Sequence, residues 1–364
     1  MEDFLTLTSH SAFNYGAVLQ TYALYTYLTN LGYNGKIIDY HAEYFNRGKT
    51  NNKFKKIIRK IIRIPDNLKG RDTFGGFIKN NINLTERVEN IEDLKSKLPK
   101  SKLYIVGSDQ VWNCGKNECG NDDAFFLTFT NGKKISYAAS IAMDQIDNKN
   151  AKRFQENLKD FFAISVRETT AVKLLGQIGI KDVKQCIDPV FLLEEEQWLN
   201  LIKKSRLARK LKNEKYILVY GFLRQKNIYD YAHKLASKKG CKVYTVNTLL
   251  EDYFIKKDKY FWNVSPEDFL ALIYYANEIV TNSFHGVSFS IIFEKSFHLF
   301  DKKGNSNSRM NDLINMIELK NRKVIDEDKL ITEKIDFFNT KKILNTFIQN
   351  SKDFLNRALE GENK

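Results

Sequence analysis

Cysteine is scarce in this 364-residue chain, with four residues at Cys114, Cys119, Cys186 and Cys241. So few, so irregularly spaced, they exclude a disulfide scaffold and a zinc ribbon and suit a reducing compartment. No run of about 18 apolar residues occurs, so no segment is expected to span a bilayer. The opening Met1-Glu2-Asp3 is acidic. It lacks the basic start of a secretory leader, and no such leader is expected. No spacing of His, Cys, Asp and Glu matches a metal motif, so no metal is expected. There is no fixed-period repeat, and no nucleic-acid-binding module is recognisable.

Apolar residues are plentiful, at 43%, with 13% aromatic. That composition supports sizeable cores and excludes a disordered or collagenous chain. The length suggests about two domains. Lys and Arg number 58 against 44 Asp and Glu, for a formal net charge of +14. The excess favours anionic partners, whether phosphates, nucleic acid or an anionic membrane surface, without choosing among them. A cytoplasmic protein is expected.

The chain repeats one grammar: strand, polar loop, helix. Residues 4–8 read as a strand, 10–16 as a polar loop, 17–28 as a helix and 36–40 as the next strand, a βαβ unit. Further strands are expected at 103–106, 135–141 and 163–166, with helices at 154–162 and from 169 to about 176. Asp188-Pro189 marks a seam. The grammar then restarts with strands at 216–220, 242–246, 278–281 and 297–300. Helices are expected at 228–236, from the Ser265 cap to about 276, and at 287–293. Residues 333–359 read as a long charged helix. The domains expected are 1–190 and 191–332, with a helical tail over 333–364. Two such α/β domains place strand-end loops around a cleft, where doubly wound folds bind ligands.

Residues 51–63 form the clearest amphipathic stretch. Phe54, Ile57, Ile58, Ile61 and Ile62 share one face, and Lys55, Lys56, Arg59, Lys60 and Arg63 fill the rest. Such a helix either packs on its own domain or lies on an anionic bilayer.

Four loops carry the residues with chemistry. Asn14-Tyr15-Gly16 precedes a helix whose free N–H groups suit an anion, but the loop lacks the three spaced glycines of a dinucleotide site. Gly107-Ser108-Asp109-Gln110-Val111-Trp112-Asn113 crowds polar groups at a strand end. There Asp109 either takes a proton from a hydroxyl or caps the next helix. Arg167 follows a strand and suits either a carboxylate or phosphate ligand or an ion pair with a nearby acid. His285, within Thr281-Asn282-Ser283-Phe284-His285-Gly286, suits a general acid or an anion ligand.

Taken in order, NYGAVLQTYAL, VGSDQVWN, SYAASI, SVRE, DPVFLL, TNSFHG and Arg309 in NSRM resemble the polysaccharide pyruvyl transferase family. The resemblance covers about residues 10–319. It implies a GT-B-like, sialyltransferase-like α/β fold. In that fold two Rossmann-like domains flank a cleft, and a C-terminal helix returns to the first domain. It also implies transfer of pyruvate from phosphoenolpyruvate onto two sugar hydroxyls as a ketal, with release of phosphate. The acceptor would be a surface polysaccharide or its precursor, which can be lipid-diphosphate-linked. No cofactor is implied.

On this resemblance His285, Asp109 and Arg167 are the catalytic candidates. Arg309, Ser283, Asn282 and Gly286 would hold the donor. Asn14, Tyr15, Gln20, Ser108, Trp112 and Asn113 would line the acceptor side. Many family members carry Arg where this chain has Ser283, so either Arg309, Arg167 or a Lys supplies that charge or this branch uses a different donor or acceptor. The competing readings are a GT-B glycosyltransferase using a nucleotide sugar and a non-catalytic saccharide-binding member. A lipid-linked acceptor would suit peripheral contact with the inner membrane face through 53–63, and no nucleic acid is expected.

Overall fold

The computed structural model describes residues 1–42, 58, 61–115, 118–221, 225–251, 258–302 and 307–361. Its first sheet has the order β2-β1-β3-β4-β5-β6. The strands are β1 (Glu2–Leu7), β2 (Gly35–Ile37), β3 (Ser101–Val106), β4 (Lys133–Ala139), β5 (Ala163–Val166) and β6 (Lys184–Gln185). The second sheet runs β11-β10-β7-β8-β9. Its strands are β7 (Tyr216–Tyr220), β8 (Lys242–Asn247), β9 (Lys259–Trp262), β10 (Glu278–Thr281) and β11 (Phe297–Leu299). Every strand pair is parallel. Continuous apolar runs such as Tyr216–Val219, buried on both faces, are what a sheet sandwiched between helices requires.

In chain order the helices are α1 (Tyr15–Asn30), α2 (Ile64–Gly70), α3 (Gly76–Asn81), α4 (Ile91–Lys97), α5 (Asn148–Leu158) and α6 (Thr169–Gln177). They continue with α7 (Glu195–Ile202), α8 (Ala208–Leu211), α9 (Lys226–Lys239), α10 (Pro266–Tyr274), α11 (Phe284–Ile292), α12 (Ser308–Met316) and α13 (Phe337–Glu360). Asn14 caps α1 by accepting from the Gly16 and Ala17 N–H groups at 2.9 and 3.2 Å. Ser265 caps α10, with Pro266 at the first helical position, as its sequence predicts.

One hydrophobic cluster runs from β1 and α1 into α10 and α11 and so joins the two sheets. Tyr15 stacks on Phe269, with ring centroids 4.2 Å apart and planes 5° apart. A second bridge runs through Asp66 in α2. Its Oδ1 accepts from the Leu250 N–H and Trp262 Nε1, each at 2.8 Å. α13 returns to the first sheet: Phe354 meets Tyr137, and Ser351 Oγ accepts from the Ile187 N–H at 2.9 Å.

Several expectations shift. β2 stops at Ile37, because the chain then turns from β1 and bridges Tyr40 to Val88. The polar loop expected through Gly286 is shorter, since α11 starts at Phe284 and takes His285 and Gly286 into its first turn. β6 and β9 went unread, being short and polar or aromatic rather than aliphatic. Of the amphipathic stretch, Ile58, Ile61, Ile62 and Arg63 are described, and all three isoleucines are exposed. Phe54, Lys55, Lys56, Ile57, Arg59 and Lys60 lie outside the described residues. Among the described residues no helix is long and apolar enough to cross a membrane.

Candidate active site

In each sheet the strand order reverses once, between β1 and β3 in the first and between β7 and β10 in the second. Ligands of open parallel sheets bind beyond the carboxyl ends of the strands at such points. The residues there come from loops far apart in sequence. Ser108 and Asp109 follow β3, Arg167 and Glu168 follow β5, Asp188 follows β6, His285 follows β10, and Lys302 follows β11. Arg309 joins them from the first turn of α12.

At the centre lies the Asp188 carboxylate. Its Oδ2 is 2.8 Å from Arg167 Nη2 and 3.4 Å from His285 Nε2, an ion-pair contact rather than a hydrogen bond. Burial alone would raise the Asp188 pKa, but the Arg167 guanidinium and His285 outweigh it and bring it down to about 2. Arg167 also donates to Ser108 Oγ, which in turn donates to the Ala138 carbonyl at 3.0 Å. Arg309 Nη1 stands 3.7 Å from Asp109 Oδ1. Both guanidinium groups lie over the Phe284 ring, at 5.1 and 6.0 Å from its centroid.

Within this cluster burial leaves Arg167 Nε and Nη1, Glu168 Oε2, Asp188 Oδ2 and His285 Nε2 without hydrogen-bond partners among the described residues. Arg167 is 5% exposed and His285 7%. Groups so deep normally find partners, so unpaired donors gathered in a cleft point to a ligand. Glu168 accepts at Oε1 from Ser140 Oγ and from the Ile141 and Ala142 N–H groups. Its pKa is raised by burial, against the opposing pull of those bonds, Arg309 and Arg167. Lys302 is pushed down to about 8 by burial and then by Arg309, while Asp109 acts in the other direction.

Gly16 fixes the place of the imidazole. A Cβ there would lie 2.0 Å from His285 Nδ1, so the start of α1 presses directly against the ring. Nδ1 is thereby closed off, and Nε2 is the nitrogen that faces the cleft cluster. Gly107, with φ +112°, packs the end of β3 against β4: a Cβ there would meet the Tyr137 carbonyl oxygen at 2.3 Å.

The structure therefore brings together five of the expected residues: Ser108, Asp109, Arg167, His285 and Arg309. Asp109 heads no helix and holds a left-handed backbone, φ 67°, with its carbonyl accepting from the Ser140 N–H. Asn282 Nδ2 donates to Gln225 Oε1 at 2.7 Å. The Ser283 N–H donates to Thr281 Oγ1 at 3.0 Å, and Gly286 packs on that same threonine. These contacts tie the loop to β10 and to Gln225.

Three acceptor-side expectations are corrected. Trp112 is fully buried among Phe125, Phe126 and Phe154, with Nε1 donating to the Phe125 carbonyl. Tyr15 is consumed by the inter-domain stack, its hydroxyl donating to the Val264 carbonyl. Gln20 is buried and donates to Thr8, Ala17 and Thr21. Asn14 spends its side chain on the α1 cap, and Asn113 accepts from the Gly115 N–H within its own turn.

Sequence reading missed Asp188, Glu168 and Lys302 as site residues. Asp188 sat in a motif, DPVFLL, that read as a seam, and Glu168 sat beside Arg167. Lys302 offered only its position after a strand. A groove of about 780 Å³ lined by Phe161, Lys181, Phe354 and Arg357 lies near the start of β5, at the opposite sheet edge, and holds none of these residues.

Two parallel sheets with facing strand ends define a GT-B-type protein, and solved structures agree. A UDP-GlcNAc 2-epimerase from Methanocaldococcus jannaschii, solved with UDP-GlcNAc and UDP, is 11% identical, with 96% of this chain and 93% of that chain covered and a TM-score of 0.51. A glycosyltransferase from Rickettsia africae is 13% identical over 99% of this chain and 96% of that one, with a TM-score of 0.51. A UDP-GlcNAc 2-epimerase from Neisseria meningitidis bound to UDP-GlcNAc is 10% identical, covering 98% and 94%, with a TM-score of 0.50. These likenesses establish the fold alone. No curated protein matches the chain by sequence. The family model for polysaccharide pyruvyl transferases matches residues 14–303. The chain belongs to that family and is a transferase.

Proposed function

We propose that this transferase moves pyruvate from phosphoenolpyruvate onto two hydroxyls of a sugar in a surface polysaccharide or its lipid-linked precursor, releasing phosphate. The observation that carries this reading is the buried Arg167, whose Nε and Nη1 have no hydrogen-bond partner among the described residues, with Arg309 and Lys302 in the same cluster. Phosphoenolpyruvate carries a carboxylate and a phosphate, and planar guanidinium groups bind both well. Arg309 and Lys302 supply the charge that Ser283 lacks.

The reaction needs a proton on the donor's methylene carbon and the loss of two hydroxyl protons. His285 Nε2 donates to the methylene, and Asp188, with Oδ2 3.4 Å from that nitrogen, holds the ring in place. One sugar hydroxyl then adds to the central carbon, forming a C–O bond as Asp109 takes its proton. The carbon–oxygen bond to phosphate breaks, and the second hydroxyl closes the ketal. Of the two hydroxyl protons, one balances the methylene protonation and the other leaves with phosphate. The acceptor side is formed by Ser108 and Asp109 at the end of β3.

The test is phosphate release from phosphoenolpyruvate across a panel of free and lipid-linked galactosides, mannosides and amino sugars, with mass detection of the product. A coupled gain of one pyruvyl ketal is expected. His285→Ala should lower turnover about 10²–10⁴-fold. Turnover of nucleotide sugars on the same acceptors, with phosphoenolpyruvate inert, would overturn the reading.

A further inference from the structure

A second cluster lies at the same sheet edge, at the carboxyl ends of β1 and β2. His10 follows β1, and Asp39 and His41 follow β2. Asp39 Oδ1 is 2.9 Å from His10 Nε2 and 2.7 Å from His41 Nε2. The three ligand atoms all lie within 4.8 Å of one another. We propose that His10, Asp39 and His41 bind one divalent transition-metal ion, such as Zn²⁺ or Co²⁺, through two imidazole nitrogens and one carboxylate oxygen.

Backbone geometry builds the set. The 39–41 segment is held extended against Val88: the Val88 N–H donates to the Asp39 carbonyl at 3.0 Å, and the His41 N–H donates to the Val88 carbonyl at 2.8 Å. Side chains two apart in an extended segment share a face. Asp39 and His41 therefore turn together towards His10, while the Tyr40 hydroxyl reaches Asp122 at 2.7 Å.

The second argument is the setting of the His10 ring. Its Nδ1 lies 3.3 Å from the Thr8 carbonyl oxygen, so a ring bound to metal through Nε2 would keep its other nitrogen on a backbone acceptor. A metal-bound imidazole with its other N–H on a backbone carbonyl is the arrangement that orients ligating histidines. Zn–N and Zn–O bonds of about 2.0–2.2 Å put adjacent ligand atoms about 3 Å apart, close to the spacing here. An N₂O donor set of this kind suits a first-row transition metal and leaves positions open to water. His10 is 1% exposed, whereas Asp39 and His41 are half-buried, so an ion has a way in.

Chain spacing hid this set. His10 is 29 residues from Asp39 and meets it only because β1 and β2 are parallel neighbours.

The experiment treats the full-length protein with a chelator, removes the chelator, and titrates in Co²⁺ while following its visible d–d absorption. Zn²⁺ is titrated in parallel by calorimetry. One equivalent is expected, with intense four- or five-coordinate Co²⁺ bands. His41→Ala and Asp39→Asn should each weaken binding by about 100-fold or more. His233→Ala, at an exposed His–Asp pair elsewhere, should leave it unchanged. Absence of stoichiometric binding up to about 1 mM metal would overturn the proposal. So would binding that both cluster variants leave intact.

Discussion

Gly16 and His285 meet across the domain boundary, with the α1 backbone so close that a single added methyl would fall 2.0 Å from the imidazole Nδ1. The first domain's opening helix thus forms one wall of the second domain's histidine. Motion of one sheet relative to the other would move that wall, so domain packing and the place of the imidazole are coupled.

Gly16→Ala should therefore damage turnover out of proportion to stability. The ring must shift by the order of an ångström, and a displacement of that size costs about 10²-fold in rate. Steady-state kinetics should show kcat falling, while circular dichroism keeps its wild-type shape.

Asp188→Asn tests the ion pair. Breaking a buried pair by removing one partner costs about 3–5 kcal/mol, because the remaining charge is left buried. Denaturant unfolding at neutral pH should show that loss. Asp188 sits at about 2 in the fold against 3.8 for an ordinary aspartate, so its contribution is complete above 3.8 and is lost as pH falls towards 2. The gap between wild type and variant should narrow over that interval.

Lys302 gives a pH dependence of the opposite kind. With its pKa near 8, the side chain is charged below that value and neutral above it. Binding of an anionic donor should weaken as pH rises through about 8, and Lys302→Met should flatten that limb. Stability should move the other way. Between 8 and the 10.5 of an ordinary lysine the unfolded chain binds more protons, so folding strengthens as pH rises. Donor titrations and urea melts at pH 7, 8 and 9 separate the two effects.

Asp66→Ala should loosen the link between α2 and the second domain. It removes two hydrogen bonds to a buried carboxylate, from Leu250 N–H and Trp262 Nε1, each worth about 1.5–3 kcal/mol. A lowered urea midpoint is expected, with the midpoint of Lys69→Met, which loses only the ammonium–Trp262 contact, falling less.

Much of the fold was legible in the sequence because parallel sheets buried on both faces write themselves as short apolar runs. The strands at 163–166, 216–220 and 278–281 lie where those runs are, and Ser265-Pro266 announces its helix. The strand-end loops also carried the right chemistry: Ser108, Asp109, Arg167, His285 and Arg309 all reach one cluster. Trp112 and Tyr15 show the limit. A large aromatic beside polar residues looks the same in a sequence whether it lines a cleft or fills a core, and only its neighbours decide.

The sequence by itself determined the alternation of strand, loop and helix, the family, and the loops that end at the cleft, because these depend on local periodicity and short motifs. Tertiary structure decided the rest. It set Asp188 between Arg167 and His285, turned Nε2 of that histidine to the cleft by pressing Gly16 against Nδ1, and gathered His10, Asp39 and His41 from adjacent strands. Each of these is a contact between residues far apart in the chain, and such contacts exist only once sheet order and domain packing have fixed which strand ends are neighbours.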